Sequence, residues 1–346
     1  MRTSLLAMIA VLVAGATEAE ELNALVWCDH TDDALIEPFE EAHGVTVNLK
    51  EYEGTGAALS LIEQSQPGDW DVLVIDGIDV PRAVAAGILA PLPEDALPTG
   101  DLFPELVMAE NHVIDGKTYA ISEKFGYNTI SYNKAKVDPA DMTDMSIIWS
   151  DKYAGRIAIY DYYLPVMGMV AVGLGKETAS LSEDDLPAIK EKLFAMKASA
   201  KSVGEVVASQ TAIATGEVDI LVGGGEWVTA SLTSELPDLD WVLPEQGAVR
   251  WSQSIGVFAD SAKQDLALKF VQHVLSPEGQ AALATSSCYW AMPANMKAGQ
   301  VLTDAQKAAL RWDEQAEYLE RAQLYPAPSA ELDRAMQDAW TEMLQR

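Results

Sequence analysis

Apolar and polar positions alternate along Val45–Glu51, where Val45, Val47 and Leu49 share one face, and this spacing predicts a half-buried strand. Two more strands are expected at Glu21–Trp27 and Asp69–Ile75, the second ending in an apolar run suited to burial on both faces. Between the strands, Leu35, Ile36 and Phe39 recur at helical spacing within Asp33–Glu41. A second helix is expected over Gly56–Gln66, and a third over Val80–Ala86, closed by Gly87. Alternation of strand and helix implies a parallel sheet flanked by helices. Ligands of such sheets collect where strands end, here just after Trp27, Tyr52 and Ile75.

A second unit is expected from about Asn128. Ile157–Tyr160, Val218–Val222 and Trp241–Pro244 read as its strands, and Val166–Leu174, Leu186–Lys197 and Val203–Gly216 carry its helices. Ile255–Phe258 reads as a strand leading back to the first unit, followed by the helix Lys263–Leu275. The C-terminal stretch is helical and charged, with Leu319, Leu324, Leu332, Met336 and Trp340 as its apolar positions. No internal repeat, low-complexity segment or Ser/Gly tether separates the units.

The N-terminus follows a different pattern. Met1–Ser4 is basic, Leu5–Gly15 is apolar and uncharged, and Ala16–Ala19 supplies small residues, so a secretory signal cleaved after Ala19 is expected. The apolar run is too short to span a bilayer. Export would let Cys28 and Cys288 form a disulfide, although two free thiols are equally compatible with the sequence. The chain carries 53 acidic against 23 basic residues, a net charge of −30, which argues against nucleic acid and against anionic membrane surfaces as partners.

Catalytic patterns fail on inspection. Gly173-Leu174-Gly175-Lys176-Glu177 places an acid where a phosphate loop needs a hydroxyl. Ser131-Tyr132-Asn133-Lys134 has no companion motif, and no Gly-x-Ser-x-Gly elbow exists. His30, His43, His112 and His273 lack metal-ligand spacing. Neither enzyme activity, nor a metal, nor a cofactor is expected. Gly223-Gly224-Gly225 fits either backbone laid against a ligand or a tight packed turn.

Several strings, taken in order, carry a resemblance. They are Val26-Trp27-Cys28-Asp29-His30, Gly68-Asp69-Trp70-Asp71-Val72-Leu73-Val74, Trp149 with Lys152-Tyr153-Ala154-Gly155-Arg156, Gly216-Glu217-Val218-Asp219-Ile220, Glu245-Gln246-Gly247 with Trp251, Leu275-Ser276-Pro277-Glu278 and Met292-Pro293-Ala294-Asn295. Together they resemble the periplasmic spermidine/putrescine-binding proteins of ABC importers. The resemblance implies an α/β, two-lobed periplasmic binding protein fold of type II, each lobe a mainly parallel sheet flanked by helices, with the ligand cleft between lobes. The expected lobes are 20–127 plus 253–300 and 128–252 plus 301–346. It further implies a monomer that binds a small-molecule ligand and delivers it to an inner-membrane permease.

Trp27 and Trp251 match aromatic positions of that family, and Trp290 stands near a third. Other positions depart from it. Ser252-Gln253 replaces an acid after Trp251, Tyr162 and Pro165 replace acids beyond Asp161, and Asp76 stands where serine is common. The candidate ligand set is Trp27, Cys28, Asp29, His30, Asp76, Phe125, Tyr127, Tyr162, Tyr163, Glu226, Trp227, Trp251, Gln253 and Trp290. Asp29, Asp76 and Glu226 are its replacement carboxylates, with Glu123 and Asp161 behind them. The resemblance implies a small cationic amine, by family default a polyamine such as putrescine or spermidine, while many aromatic faces with few acids suit a compact methylated amine better than a long polyamine, and both stay open. Were Lys124 or Arg250 to point inward, a zwitterionic or anionic solute such as an amino acid, aminophosphonate or sulfonate would be the alternative.

Overall fold

The computed structural model describes residues 19–346, so the expected secretory signal lies outside the described residues except for Ala19. Strands β1 (Glu20–Val26), β2 (Val45–Glu51) and β3 (Val72–Asp76) pair in parallel in the order β2-β1-β3. The helix Asp33–His43 between the first two begins where the Asp32 carboxylate accepts the Ala34 N–H, and it stops at Gly44, whose φ of 66° suits glycine. A small hairpin, β4 (Val113–Ile114) and β5 (Lys117–Thr118), leads into β6 (Ile121–Asn133).

A second parallel set follows. Strands β7 (Ile157–Tyr160), β8 (Ala200–Gly204) and β9 (Ile220–Gly224) pair in the order β9-β7-β8, with helices Tyr163–Gly173, Leu186–Ser199 and Val206–Ala214 between them. β10 (Leu239–Val242) pairs with the end of β6. β11 (Ala248–Val257) then runs antiparallel beside β6, and the short β12 (Met292–Pro293) and β13 (Ala322–Leu324) edge these two strands.

β6 and β11 join the two halves. The start of β6 pairs with β12 and with the end of β11, while its own end pairs with β9 and β10. The end of β11 pairs with β3 and its start with β13. Two adjacent strands therefore pass from one parallel set into the other. Each half has its own interior. Leu22, Phe39, Ile75 and Phe270 belong to one hydrophobic cluster, and Ile159, Val166, Leu193 and Val222 to another. The C-terminal helix Ala330–Leu344 packs on the second cluster through Leu332, Met336 and Trp340. Among the described residues no helix is long and apolar enough to cross a membrane.

The first three strands fall where the alternation places them, whereas β6 runs straight through the point where a second unit was expected to begin. Nearly all of β6 is buried, and Ser122, Glu123, Lys124, Asn128, Thr129 and Ser131 are among its buried residues. A strand covered on both faces and carrying that many polar groups shows no period of two. β8 is hidden for a related reason: it is half-exposed, short, and abuts the long helix before it.

Candidate functional site

The ends of β1 and β3 open onto a small, partly enclosed cavity between the two halves. Trp27 and Asp76 reach it from those strand ends, Trp251 and Gln253 from one face of β11, and Asn128 from β6. Tyr289 comes from the loop after the helix Pro277–Ala284. The second half contributes Tyr160, Tyr162, Val206 and Trp227, and Tyr325 follows β13. The wall is thus seven aromatic rings, one carboxylate, two amides and a valine. Several rings stack edge to face: Tyr162 lies 6.1 Å from Tyr160 and 6.0 Å from Tyr325, and Trp251 lies 6.2 Å from Tyr289.

The polar groups are held in fixed places. Asn128 donates to the Gly223 carbonyl at 2.8 Å and accepts the Tyr325 hydroxyl at 2.6 Å. Gln253 Nε2 donates to the Tyr289 hydroxyl at 2.6 Å, which leaves Gln253 Oε1 buried without a partner. Asp76 accepts the Tyr162 hydroxyl at 2.7 Å across the cleft and has no cationic neighbour. Burial, aided by the nearby Asp79 charge, pushes its carboxyl up to about 7 against the opposing hydrogen bonds from Tyr162 and Thr55. Further contacts close the cleft: Glu53 accepts the Val206 N–H at 3.2 Å and the Tyr160 hydroxyl at 3.4 Å.

Of the residues expected to bind ligand, Trp27, Asp76, Tyr162, Trp227, Trp251 and Gln253 line this cavity. Asp29 and His30 do not. They are fully buried in a chain of four charges behind the wall. Lys124 Nζ meets Asp29 Oδ2 at 2.8 Å, Asp29 Oδ1 meets His30 Nδ1 at 2.9 Å, and His30 Nε2 meets Glu123 Oε1 at 2.8 Å. Burial alone would raise the Asp29 carboxyl, but the Lys124 and His30 charges hold it well below the usual carboxylate range. Burial would likewise lower His30, yet Glu123 and Asp29 push it up to about 10. Lys124 also donates to the carbonyls of Leu283 and Tyr289 and sits 4.2 Å from the centre of the Tyr289 ring.

Phe125 and Tyr127 are core residues, the latter stacked on Trp241. Glu226 is buried behind Gly126 and accepts the Tyr127 N–H at 3.0 Å, and burial pushes it up to about 8. A Cβ at Gly126 would stand 1.7 Å from Glu226 Oε1, so only glycine fits there. Tyr163 bonds Asp333, Asp161 accepts the Trp340 indole N–H, and Trp290 packs against the first core. The glycine run is packing: a Cβ at Gly225 would lie 2.1 Å from the Tyr127 carbonyl oxygen. Arg250 alternates with Trp251 along β11 and does not line the cavity, and Lys124 is spent on Asp29. No lysine, arginine or histidine is in the wall. Cys28 and Cys288 form a disulfide, with Cα atoms 5.9 Å apart.

Tyr160, Tyr289 and Tyr325 are wall residues that sequence reasoning missed. Tyr160 ends a recognised strand and Tyr289 follows a noted cysteine, so both had a local signal; Tyr325 had none.

Comparisons with known proteins fit this geometry. Residues 34–310 match the model of the bacterial extracellular solute-binding protein family. The spermidine/putrescine-binding periplasmic protein of Escherichia coli (strain K12) is 22% identical over 269 residues, 76% of each chain. A solved structure from Listeria monocytogenes, named for a spermidine/putrescine ABC transporter, superposes with a TM-score of 0.83 at 21% identity, covering 94% of this chain and 99% of that one. The binding protein AgtB from A. tumefaciens R10, solved in complex with agropinic acid, superposes with a TM-score of 0.72 at 16% identity, covering 94% and 99%.

Proposed function

The chain belongs to the bacterial extracellular solute-binding proteins, non-enzymatic components of ABC importers, and on that premise we propose that its solute is a compact amine carrying one positive charge. Membership implies a small-molecule ligand and a permease partner. The relatives named for polyamines and for agropinic acid show that this fold serves solutes of different charge, so the wall itself has to decide.

The observation that carries the reading is the lone carboxylate, Asp76, in a wall of seven rings without any cationic side chain. A cation replaces the partner that Asp76 lacks and gains attraction from ring faces, about 2 kcal/mol or more per desolvated contact. A polyamine would bring a second and third ammonium with no carboxylate to meet them, and a buried unpaired charge is costly. An anionic solute would meet Asp76 and no counter-charge. The expected secretory signal and the family support the reading that the mature chain, from Glu20, works in the periplasm.

A thermal-shift screen of that mature chain tests the proposal. A ligand at ~100 times its dissociation constant adds about 2.7 kcal/mol of stability. Methylated and short primary amines are expected to raise the melting temperature most, putrescine less, and organic anions not at all. Stabilisation by amino-acid, phosphonate or sulfonate solutes alone would sink the reading.

A further inference from the structure

Two wall rings adjoin the disulfide directly: Trp27 precedes Cys28, and Tyr289 follows Cys288. The bridge joins the end of β1 to the loop 285–291. A second tie runs parallel to it, because Asp29 holds Lys124 and Lys124 donates to the Tyr289 carbonyl at 3.2 Å. Across the cleft, Gln210 Nε2 donates both to the Cys288 carbonyl, at 3.3 Å, and to the carbonyl of Trp227, another wall ring, at 3.0 Å. The bridged residue is thus one point where the two halves are fastened together. The loop has further bonds besides these: Thr285 pairs with Trp290 and bonds the carbonyls of Ala281 and Ala282, Ser286 bonds the Tyr289 carbonyl, Ser287 N–H bonds Asp32, Ala291 N–H bonds the Ala284 carbonyl, and Gln253 donates to the Tyr289 hydroxyl.

We propose that the Cys28–Cys288 disulfide is a positioning element of the ligand site, fixing Trp27 and Tyr289 as wall rings and holding the Cys288 carbonyl where Gln210 closes on it. This rests on the cavity being the solute site. The physical basis is preorganisation: a loop ordered before the solute arrives does not charge its ordering entropy to binding. The first hydrophobic core is built on β1–β3, the helices packed against them and the segments flanking the loop, and within 285–291 only Trp290 packs on it, so removing the bridge is expected to loosen the loop and leave most of that core in place.

The test compares the mature chain with the double variant Cys28→Ser, Cys288→Ser by hydrogen exchange and by calorimetric titration with tetramethylammonium. Amide exchange in 285–291 is expected to rise at least tenfold while β1–β3 stay protected, and the affinity to fall about tenfold. Gln210→Leu keeps the bridge and should weaken binding several-fold, but add little in the bridge-free variant, because the loop is already released. Unchanged exchange in the loop, unchanged affinity, exchange raised equally through β1–β3, or failure of the double variant to fold would each overturn the proposal in favour of a staple for the fold. If tetramethylammonium binds neither form, the compact-cation reading fails, and the exchange comparison still decides the role of the bridge.

Discussion

Asp29 and Asp76 are both buried beside the same aromatic wall, and their chemistry is opposite. Asp29 has a resident lysine at 2.8 Å and stays ionised well below the usual range. Asp76 has the Tyr162 hydroxyl, a distant threonine and no cation, and its carboxyl is pushed up to about 7. Burial costs each of them in the same way. The difference is the partner, and the contrast shows what the cavity lacks: Asp76 is in Asp29's position without the lysine. In one region the charge is satisfied by the chain, and in the other, under the proposed function, it is left for a solute to satisfy.

The most severe way to test the contrast is at the satisfied end. Asp29→Asn leaves Lys124 buried without its counter-ion, and the expected cost is about 3–5 kcal/mol in urea unfolding. A loss below about 1 kcal/mol would mean that the cluster is not held by that pair. The matching change at the other end should behave differently. Asp76→Asn is expected to leave the ligand-free stability unchanged or slightly higher, since no resident charge loses a partner. Its affinity for a compact cation should fall ~100-fold, about 2.8 kcal/mol, by calorimetry.

The pH dependence sharpens the comparison. A bound cation requires Asp76 ionised, so affinity should rise up to ~10-fold per unit as pH increases toward about 7 and level off above it. Close to one proton should be released on binding at pH 6, measurable in buffers of different ionisation enthalpy. Ligand-free stability has the reverse slope. Asp76 and Glu226 bind protons more tightly folded than unfolded, so their contribution is lost as pH rises from the unfolded carboxylate range through about 7 and about 8. His30 adds stability that is complete below its unfolded value and is lost as pH rises through about 10. A melting temperature that climbs steadily from pH 5 to 8 without ligand would contradict this assignment. The smallest effect is expected from Tyr162→Phe, which removes one hydrogen bond to the ionised carboxylate. Affinity should drop ~5–10-fold, with a further upward shift of the carboxyl titration.

The same contrast explains what the sequence could tell. Strand ends are local features, so Trp27 and Asp76 were legible from β1 and β3, and Trp251 from its motif. Partnership is not local. Nothing near Asp29 announces that Lys124 will neutralise it, and nothing near Glu226 announces that it caps the Tyr127 N–H behind Gly126. Both acids therefore read as ligand groups alongside Asp76. Phe125 and Tyr127 were drawn in by position, on a strand whose two-sided burial hid its alternation. Tyr325 escaped because its place in the wall depends on the pairing of β13 with β11, a contact between segments far apart in sequence.

The register of the sheet also sets a length scale. Gln253 stands opposite Asp76 on one side and opposite Lys124 on the other, so acid, amide and base form one row across three neighbouring strands. With strands about 4.8 Å apart, the row measures about 10 Å from Asp76 to the backbone that carries Lys124. It acts as a ruler. Under the proposed function, a solute anchored by its ammonium at the Asp76 end and lying along the row would run toward the Tyr289 ring, which has the Lys124 ammonium behind it. On that reading a neutral alkyl end fits there, whereas a second ammonium would find every nearby acid already paired, so the sheet would measure the solute and check its far end in the same step.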